Sequence, residues 1–248
     1  MTVDETRLKK QALAEHLRAL RKVVIISAAA IAVAFVALFY LANAQLIDLL
    51  LAPPRARGIE IVATRVSEAL VTQLKVCMVG AIVVAMPVLT WQIWLFIAPA
   101  LYAKERRLFA LLFFVALVLF CVGVIFAYLY IFPLTIDLFF EAGEGVATTL
   151  WSVEQYFDFT LSFVLPFGLM FELPVAVYLM ARRGWVDYKK LSKNRKYVIL
   201  LIAVVSAVLT PPDIVSQTMM GLPMVLLYEV GVQVTRFAKP KVKVEDAA

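Results

Sequence analysis

The sequence predicts an all-α integral membrane protein with six transmembrane helices, both termini in the cytoplasm, and short fifth and sixth helices. Three observations carry this prediction: the composition, the lengths of the apolar runs and the distribution of basic residues. Of the 248 residues, 63% are apolar and the mean hydropathy is +0.90, whereas about half of the residues in soluble domains are apolar. The composition therefore predicts a chain that lies in a lipid bilayer.

Four apolar runs are long enough to cross a bilayer core of about 30 Å, which requires about 20 helical residues. They are residues 23–44, 76–98, 108–131 and 159–180. Two later runs are shorter: 197–209 ends at a Thr-Pro-Pro-Asp turn, and 214–234 is interrupted by polar residues and a proline. These two runs predict a tight hairpin of short spans. Around short spans the bilayer becomes thinner, or partner proteins cover them.

The basic residues predict the orientation. Twenty of the 24 lysines and arginines lie before the first run, in the second and fourth loops, or after the last run, and the others lie in the first external loop, 45–75. By the positive-inside rule both termini are cytoplasmic. The chain is thus predicted to comprise a cytoplasmic segment 1–22, a membrane domain 23–234 and a basic tail 235–248. The net charge of +6 then reflects topology rather than nucleic-acid binding.

Signatures of catalysis and of metal or cofactor binding are missing from the sequence. The only histidine is His16, and there is no Gly-rich phosphate loop and no His-Glu-x-x-His motif. Neither a catalytic site, a metal site nor a cofactor is predicted. Cys77 and Cys121 fall in apolar runs, where a cysteine ordinarily serves as a small packing residue.

A signal-peptidase site is the alternative interpretation of Ala42-Asn43-Ala44, which ends the first apolar run. That run has roughly 20 residues, whereas the apolar region of a cleaved signal peptide has 7 to 15. The sequence therefore predicts a permanent first span.

Glu172 is the most informative single residue. It lies in the apolar run 159–180, within the string Phe-Gly-Leu-Met-Phe-Glu-Leu-Pro, and no lysine or arginine accompanies it. A carboxyl group at that depth is costly and is usually functional. The alternative is a protonated acid that donates a hydrogen bond to a carbonyl of a neighbouring helix.

The second cytoplasmic loop combines aromatic residues with one acid among three bases. The aromatic-rich stretch 91–102 precedes Lys104, Glu105, Arg106 and Arg107. Taken alone, this pattern is typical of an interfacial aromatic belt with basic anchors, and Glu105 would only balance the charge.

Four separated motifs, in order, resemble those of the TatC family, the membrane receptor of the twin-arginine protein translocase. The similarity covers nearly the whole chain and implies six spans with both ends inside, in the cytoplasmic (inner) membrane. The motifs are His16-Leu17-Arg18-Ala19-Leu20-Arg21, Phe96-Ile97-Ala98-Pro99 through Glu105-Arg106-Arg107, Phe167-Gly168-Leu169-Met170-Phe171-Glu172-Leu173-Pro174, and Leu209-Thr210-Pro211-Pro212-Asp213-Ile214-Val215-Ser216-Gln217 through Pro223 to Tyr228-Glu229.

The resemblance implies a receptor rather than an enzyme. TatC-like proteins bind the twin-arginine signal peptides of folded substrates. With single-span TatA-like and TatB-like subunits, and through self-association, they export these substrates by means of the proton motive force. Glu105 is the implied reader of the arginines, because a carboxylate accepts a guanidinium bidentately. Phe96 and Arg21 are implied signal-peptide contacts, and their alternatives are a lipid-facing ring and a membrane anchor.

The N-terminal motif departs from the family pattern at Ala19, where the family usually has glutamate. If this segment is helical, Glu15 lies one turn earlier on the same face. We therefore expect Glu15 to supply the missing charge for signal-peptide binding. For Glu172, the resemblance implies a hydrated groove beside which the apolar part of a signal peptide inserts.

Partner subunits are implied to bind at Thr210, Asp213 and Gln217, and the alternative is an ordinary capped turn. Pro53 and Lys75 match family positions of interest, and each has a scaffold role as its alternative. Glu229 is either functional or paired within the bundle near its cytoplasmic end.

Two other functions are alternatives to the receptor. A proton-coupled small-solute transporter would exchange protons between Glu172 and Glu229, and it would move solute without partner subunits. An intramembrane hydrolase ranks last, because the sequence offers no credible pair of nucleophile and base.

Overall fold

The computed structural model describes residues 3–97, 106–143, 150–210 and 213–238, which are almost entirely helical. Two short strands, β1 (Glu60–Val62) and β2 (Leu150–Ser152), pair in parallel with Ile61 opposite Trp151. A π-helical segment, Ala127–Ile131, joins α4 to α5, and a 3₁₀ turn, Thr235–Phe237, follows α10. The α-helices are α1 (Val3–Leu41), α2 (Asn43–Arg55), α3 (Glu68–Ile97), α4 (Arg106–Phe126), α5 (Phe132–Gly143), α6 (Val153–Phe171), α7 (Leu173–Arg182), α8 (Tyr188–Lys193), α9 (Arg195–Leu209) and α10 (Ile214–Val234).

Helices occupy all six predicted spans, and the predicted helical membrane fold is confirmed. Within the described ranges, five helical stretches are long and apolar enough to cross a membrane: Leu17–Leu41, Glu68–Leu95, Ala110–Glu141, Val153–Arg182 and Ile214–Phe237. The predicted fifth span corresponds to α9, which has only 15 residues. At a rise of about 1.5 Å per residue this helix is about 22 Å long, as expected for a short span.

The chain forms two compact units. The first comprises residues 1–47 and 73–117, and its interior includes Cys77, Ala81, Met86 and Ala116. The second comprises residues 48–72 and 118–248. Its largest core joins the π-helical segment, α6, α9 and α10 through Ala127, Ile131, Phe163, Phe167, Ile202, Met220, Met224, Tyr228 and Val232.

The third helical stretch passes Pro133 and ends at Gly143. The apolar run predicted to form this span ends at residue 131. Proline removes a backbone donor and normally interrupts an α-helix. Here the Phe132 N–H donates to the Ala127 carbonyl, one residue further back than in an α-helix, and this π-type bond carries the helix past the proline.

Helix α3 also begins earlier than predicted, at Glu68 rather than near Val76. The Glu68 carboxylate accepts the backbone N–H groups of Thr64 (2.5 Å) and Arg65 (2.9 Å), which secures the helix start. Lys75 therefore lies seven residues inside α3 and not at the edge of a loop, and its side chain is half-buried.

Helices α4 and α6 approach each other closely at two glycines of the second unit. A Cβ atom on Gly123 would lie 2.6 Å from the Phe167 carbonyl oxygen, and one on Gly168 would lie 2.5 Å from the Phe120 ring. Small residues commonly permit such close crossings of membrane helices. This crossing fixes the part of α6 that leads to Glu172.

Candidate functional site

Glu172 lies at a break between α6 and α7. It has helical dihedral angles (φ −77°, ψ −16°), and its N–H donates to the Leu169 carbonyl at 3.1 Å. Pro174 follows at the second position of α7, where its missing N–H is tolerated. The Glu172 side chain is half-buried. The helical stretch is thus interrupted at the single acid of the apolar run 159–180.

The break is enclosed by neighbouring elements of the second unit. On α10, a Cβ atom on Gly231 would lie 3.3 Å from Leu173 and 3.5 Å from the Cα of Pro174. On α4, the Phe126 ring packs 5.7 Å from that of Phe171. Close packing from two sides therefore holds the helix break and fixes the position of the Glu172 backbone.

Glu229 forms an ion pair at the start of the α9–α10 hairpin. Its carboxylate accepts a hydrogen bond from Arg195 Nη2 at 2.5 Å and another from Gln233 Nε2 at 3.0 Å. Both charged side chains are 39% exposed. The ion pair links α9 to α10, and the charges of Arg195 and Glu229 balance each other. This geometry agrees with the alternative in which Glu229 is paired within the bundle.

Thr210, Asp213 and Gln217 all make hydrogen bonds within the hairpin. Thr210 Oγ1 donates to the Ser206 carbonyl at 2.8 Å, and the Asp213 carboxylate accepts the Ser216 N–H at 2.6 Å as an N-cap. Gln217 Nε2 donates to the Ala203 carbonyl at 3.0 Å. Asp213 therefore caps α10, and a polar group of a partner would compete with these bonds.

Pro53 and its neighbour Pro54 lie inside α2. Neither proline can donate to the carbonyl four residues earlier, so the carbonyls of Leu49 and Leu50 lose their helical partners. The Tyr128 hydroxyl donates to the Leu49 carbonyl at 2.7 Å, and the Tyr156 hydroxyl donates to the Leu50 carbonyl at 2.5 Å. The two prolines thus leave two carbonyl groups free to accept hydrogen bonds. Through these bonds, two tyrosines from distant parts of the sequence fix α2.

Arg57 adds a third connection to α2. Its guanidinium donates to the Pro53 carbonyl at 3.0 Å and to both carboxylate oxygens of Asp137 on α5, with Nη2 to Oδ2 at 2.9 Å. The hydrogen bond to Asp137 raises the pKa of Arg57, and partial burial opposes it. A bidentate pair of this kind fixes orientation as well as distance.

Glu68 is a buried acid that the sequence analysis did not single out. One carboxylate oxygen accepts from Thr64 and Arg65, and the other accepts from the Ser152 hydroxyl at 2.5 Å and the Glu154 N–H at 2.7 Å. Glu68 precedes the predicted span 76–98. The anion therefore ties the start of α3 to the strand β2.

A signal for Glu68 existed in the sequence. Thr64, Arg65, Ser67 and Glu68 resemble a helix start, because a glutamate at the start of a helix can reach back and accept N–H groups of the residues just before it. The partners on Ser152 and Glu154, 84 and 86 residues away, were not foreseeable from spacing.

The residues implied in signal-peptide recognition are only partly described. Glu105 lies outside the described residues. Phe96 falls in the last turn of α3 and Glu15 falls in α1, and only their backbones are described. Arg21 is exposed on α1. The structure therefore leaves the assignment of these residues as a prediction.

Known proteins resemble this chain over most of its length. The profile of the family described as "Sec-independent protein translocase protein (TatC)" matches residues 15–223. The protein of that name from Carboxydothermus hydrogenoformans is 38% identical over 234 residues, which are 94% of this chain and 96% of that protein. The one from Escherichia coli K12 is 37% identical over 240 residues, 96% of this chain and 91% of that protein.

A solved structure described as "Crystal Structure of Twin Arginine Translocase Receptor- TatC" superposes with a TM-score of 0.82 at 34% identity. It covers 90% of this chain, and 99% of the solved chain is matched. A second crystal structure of a TatC receptor, in DDM, gives a TM-score of 0.83 at 32% identity. The family match and the shared fold agree with the four motifs, and this chain belongs to the TatC family of Sec-independent protein translocase proteins.

Proposed function

We propose that this chain is the receptor subunit of a twin-arginine translocation system in the cytoplasmic membrane, with both termini in the cytoplasm. It binds the twin-arginine signal peptides of folded proteins and, with single-span TatA-like and TatB-like subunits, exports them by means of the proton motive force. The observation that carries this proposal is the similarity to the crystal structure of a twin-arginine translocase receptor over 90% of the chain.

Recognition of the arginines is assigned to Glu105, with Phe96 and Arg21 beside it and Glu15 in place of the acid missing at Ala19. The role suits the residue type, because a carboxylate accepts two parallel hydrogen bonds from one guanidinium. A lysine offers a point charge without this planar fork. Selectivity for arginine over lysine is therefore the signature of this site.

Glu172 is assigned to the apolar part of the signal peptide. The break between α6 and α7 has a half-buried carboxyl group and a turn at Leu169 within the otherwise apolar run 159–180. A carboxyl group within the membrane costs free energy, and packing on both sides holds this one in place. Such an acid is usually functional.

Partner subunits are assigned to the turn formed by Thr210, Asp213 and Gln217. Interhelical hydrogen bonds in membranes contribute only about 0.6 to 2 kcal/mol each, so a polar group on a partner helix can exchange with the bond from Gln217 to Ala203. The exposed apolar side of α9, which includes Leu200, Leu201 and Val208, offers the adjoining surface.

Site-specific photocrosslinking tests the proposal. A twin-arginine signal peptide and a Lys-Lys control are crosslinked to membranes carrying the unchanged chain, Glu105→Gln, or the matched control Glu60→Gln. We expect arginine-dependent crosslinks to residues 96–107 that Glu105→Gln abolishes and Glu60→Gln preserves. Equal crosslinking of both peptides would contradict the receptor assignment and would favour a proton-coupled transporter.

A further inference from the structure

A group of exposed cations follows α7 and α10 in the second unit, on the side predicted to be cytoplasmic. Lys189, Lys190 and Lys193 on α8 are exposed, and so is Arg236 in the turn after α10. These four residues form what we call the α8 basic patch. Residues 182–196 and 229–238 together carry eight lysines and arginines but only two acids, Asp187 and Glu229.

Both of those acids have other partners. The Asp187 carboxylate caps α8 by accepting the Lys190 N–H at 2.6 Å. Glu229 accepts hydrogen bonds from Arg195 and Gln233. Because Glu229 is paired with Arg195, only the Asp187 carboxylate offsets the four cations of the α8 basic patch. The patch therefore keeps a net positive charge and is complementary to an anionic ligand.

Helix α8 is also held in a defined position. The Tyr228 hydroxyl on α10 donates to the Leu191 carbonyl at 2.9 Å. Arg236 donates to the Tyr188 hydroxyl, and its guanidinium lies 4.2 Å from the centroid of that ring. A bias in loop charge is enough to orient a membrane protein and requires no fixed geometry. Cations that are held in place lose less freedom when they bind a ligand.

Exposed aromatic side chains lie close to these cations in the sequence. Trp185 and Tyr197 are each 61% exposed and Phe237 is 80% exposed. Arg183 lies over the Trp185 ring at 5.2 Å, and Lys196 lies over the Tyr197 ring at 5.1 Å. Amphipathic aromatic residues beside lysine and arginine are typical of the lipid headgroup region. An acidic protein segment would use the charges but would not account for the exposed rings.

We propose that the α8 basic patch binds the phosphate groups of anionic phospholipids. The ammonium groups of the three lysines and the Arg236 guanidinium contact the lipid phosphates, while Trp185, Tyr197 and Phe237 enter the headgroup layer. Helix α8 then lies on the membrane surface. Because the attraction is between charges at an aqueous boundary, it weakens as ionic strength rises.

Native mass spectrometry of the purified full chain in a mild detergent tests this proposal. Binding of dioleoyl phosphatidylglycerol and dioleoyl phosphatidylcholine is titrated on the unchanged chain, on Lys190→Gln with Lys193→Gln, and on Arg55→Gln with Arg65→Gln as the control with equal charge loss. We expect phosphatidylglycerol to bind more tightly than phosphatidylcholine. Each lysine removed should weaken phosphatidylglycerol binding roughly fivefold, and the control should change it less than twofold.

Three results would overturn the proposal. They are equal binding of the two lipids to the unchanged chain, equal loss of phosphatidylglycerol in the lysine variant and the arginine control, and binding that does not fall between low and high salt. A glutamate-rich peptide that binds the lysine patch when phosphatidylglycerol does not would instead assign the surface to an acidic protein. No signal peptide is added in these titrations, so their outcome is separate from that of the receptor assignment.

Discussion

The second unit uses hydrogen bonds differently in its β1–β2 end and in its α9–α10 hairpin. The β1–β2 end comprises residues 48–72, 128–143 and 150–156. Its bonds join segments far apart in sequence, as in Tyr156 to Leu50 and Ser152 to Glu68. At the turn of the hairpin, Thr210 and Asp213 bond to residues three or four positions away, and Gln217 reaches back only 14. The Arg195–Glu229 pair links the other ends of the two helices.

This difference indicates separate tasks for the two regions. Long-range bonds to otherwise unpaired backbone groups specify one arrangement of α2, α3 and β2, because leaving such groups buried without partners is costly. Short-range bonds hold a turn in shape but do not oppose the approach of another helix. The β1–β2 end is therefore suited to be a fixed scaffold, and the hairpin is suited to exchange partners.

The largest expected effect is on Glu68. Glu68→Gln retains the volume but removes the charge and makes one of the accepting oxygens a donor group that faces other donors. We expect the midpoint of thermal unfolding in detergent to fall by roughly 5 °C or more. Glu60→Gln, an exposed acid on β1, is the control and should leave the midpoint within about 1 °C. A midpoint for Glu68→Gln equal to that of the control would contradict the scaffold.

Tyr156→Phe should have the next largest effect. The ring is 3% exposed, and loss of the hydroxyl leaves the Leu50 carbonyl without a partner, at a cost of about 1 to 3 kcal/mol in the free energy of unfolding. Tyr128→Phe should cost less, because that bond is exposed. Titration with SDS measures both, and Tyr130→Phe, whose ring is 65% exposed, is the control.

A double-mutant cycle isolates the role of the proline. Pro54→Ala restores an N–H that can donate to the Leu50 carbonyl within α2. In that background Tyr156→Phe should cost less than half of what it costs in the unchanged chain, because the carbonyl has a second donor. Equal costs in both backgrounds would show that the proline does not create the acceptor.

Asp213→Ala should have a moderate effect that stays within the hairpin. It removes the N-cap of α10 and should lower the free energy of unfolding by about 1 kcal/mol, as measured by SDS titration. Asp213→Asn keeps an accepting oxygen and should recover most of the loss. An effect of Asp213→Ala larger than that of Tyr156→Phe would reverse the comparison between the two regions.

Glu229→Gln should have the smallest effect. The ion pair with Arg195 has 39% of each side chain exposed to solvent, and pairs of this kind contribute about 1 kcal/mol or less. We expect a change below about 1 kcal/mol in the same SDS titration, diminishing with added salt. A loss of several kcal/mol would mean that Glu229 does more than link α9 to α10.

The sequence was sufficient for the membrane fold and the hairpin. The apolar runs and the Thr-Pro-Pro-Asp turn marked α9 and α10, and the fall in hydropathy after Leu209 located the turn within a residue. Asp213 was recognised as a possible cap and Glu229 as a possible bundle pair, because both roles depend on local spacing or on one neighbouring helix.

The scaffold at the β1–β2 end was not predicted. Its contacts pair Leu49 with Tyr128 and Glu68 with Ser152, residues that no periodicity connects. The third predicted span also ended too early, at residue 131, because a π-helical bond that carries a helix past Pro133 leaves no signal in composition. Pro53 was noted without a role, since the acceptors it creates matter only once the tyrosines lie beside them.

The most direct measurement is the affinity of a twin-arginine signal peptide for the purified chain in lipid nanodiscs, compared with a Lys-Lys peptide. The receptor assignment predicts at least tenfold tighter binding of the arginine peptide, and loss of this preference in Glu105→Gln but not in Glu60→Gln. Equal affinities of the two peptides for the unchanged chain would contradict it.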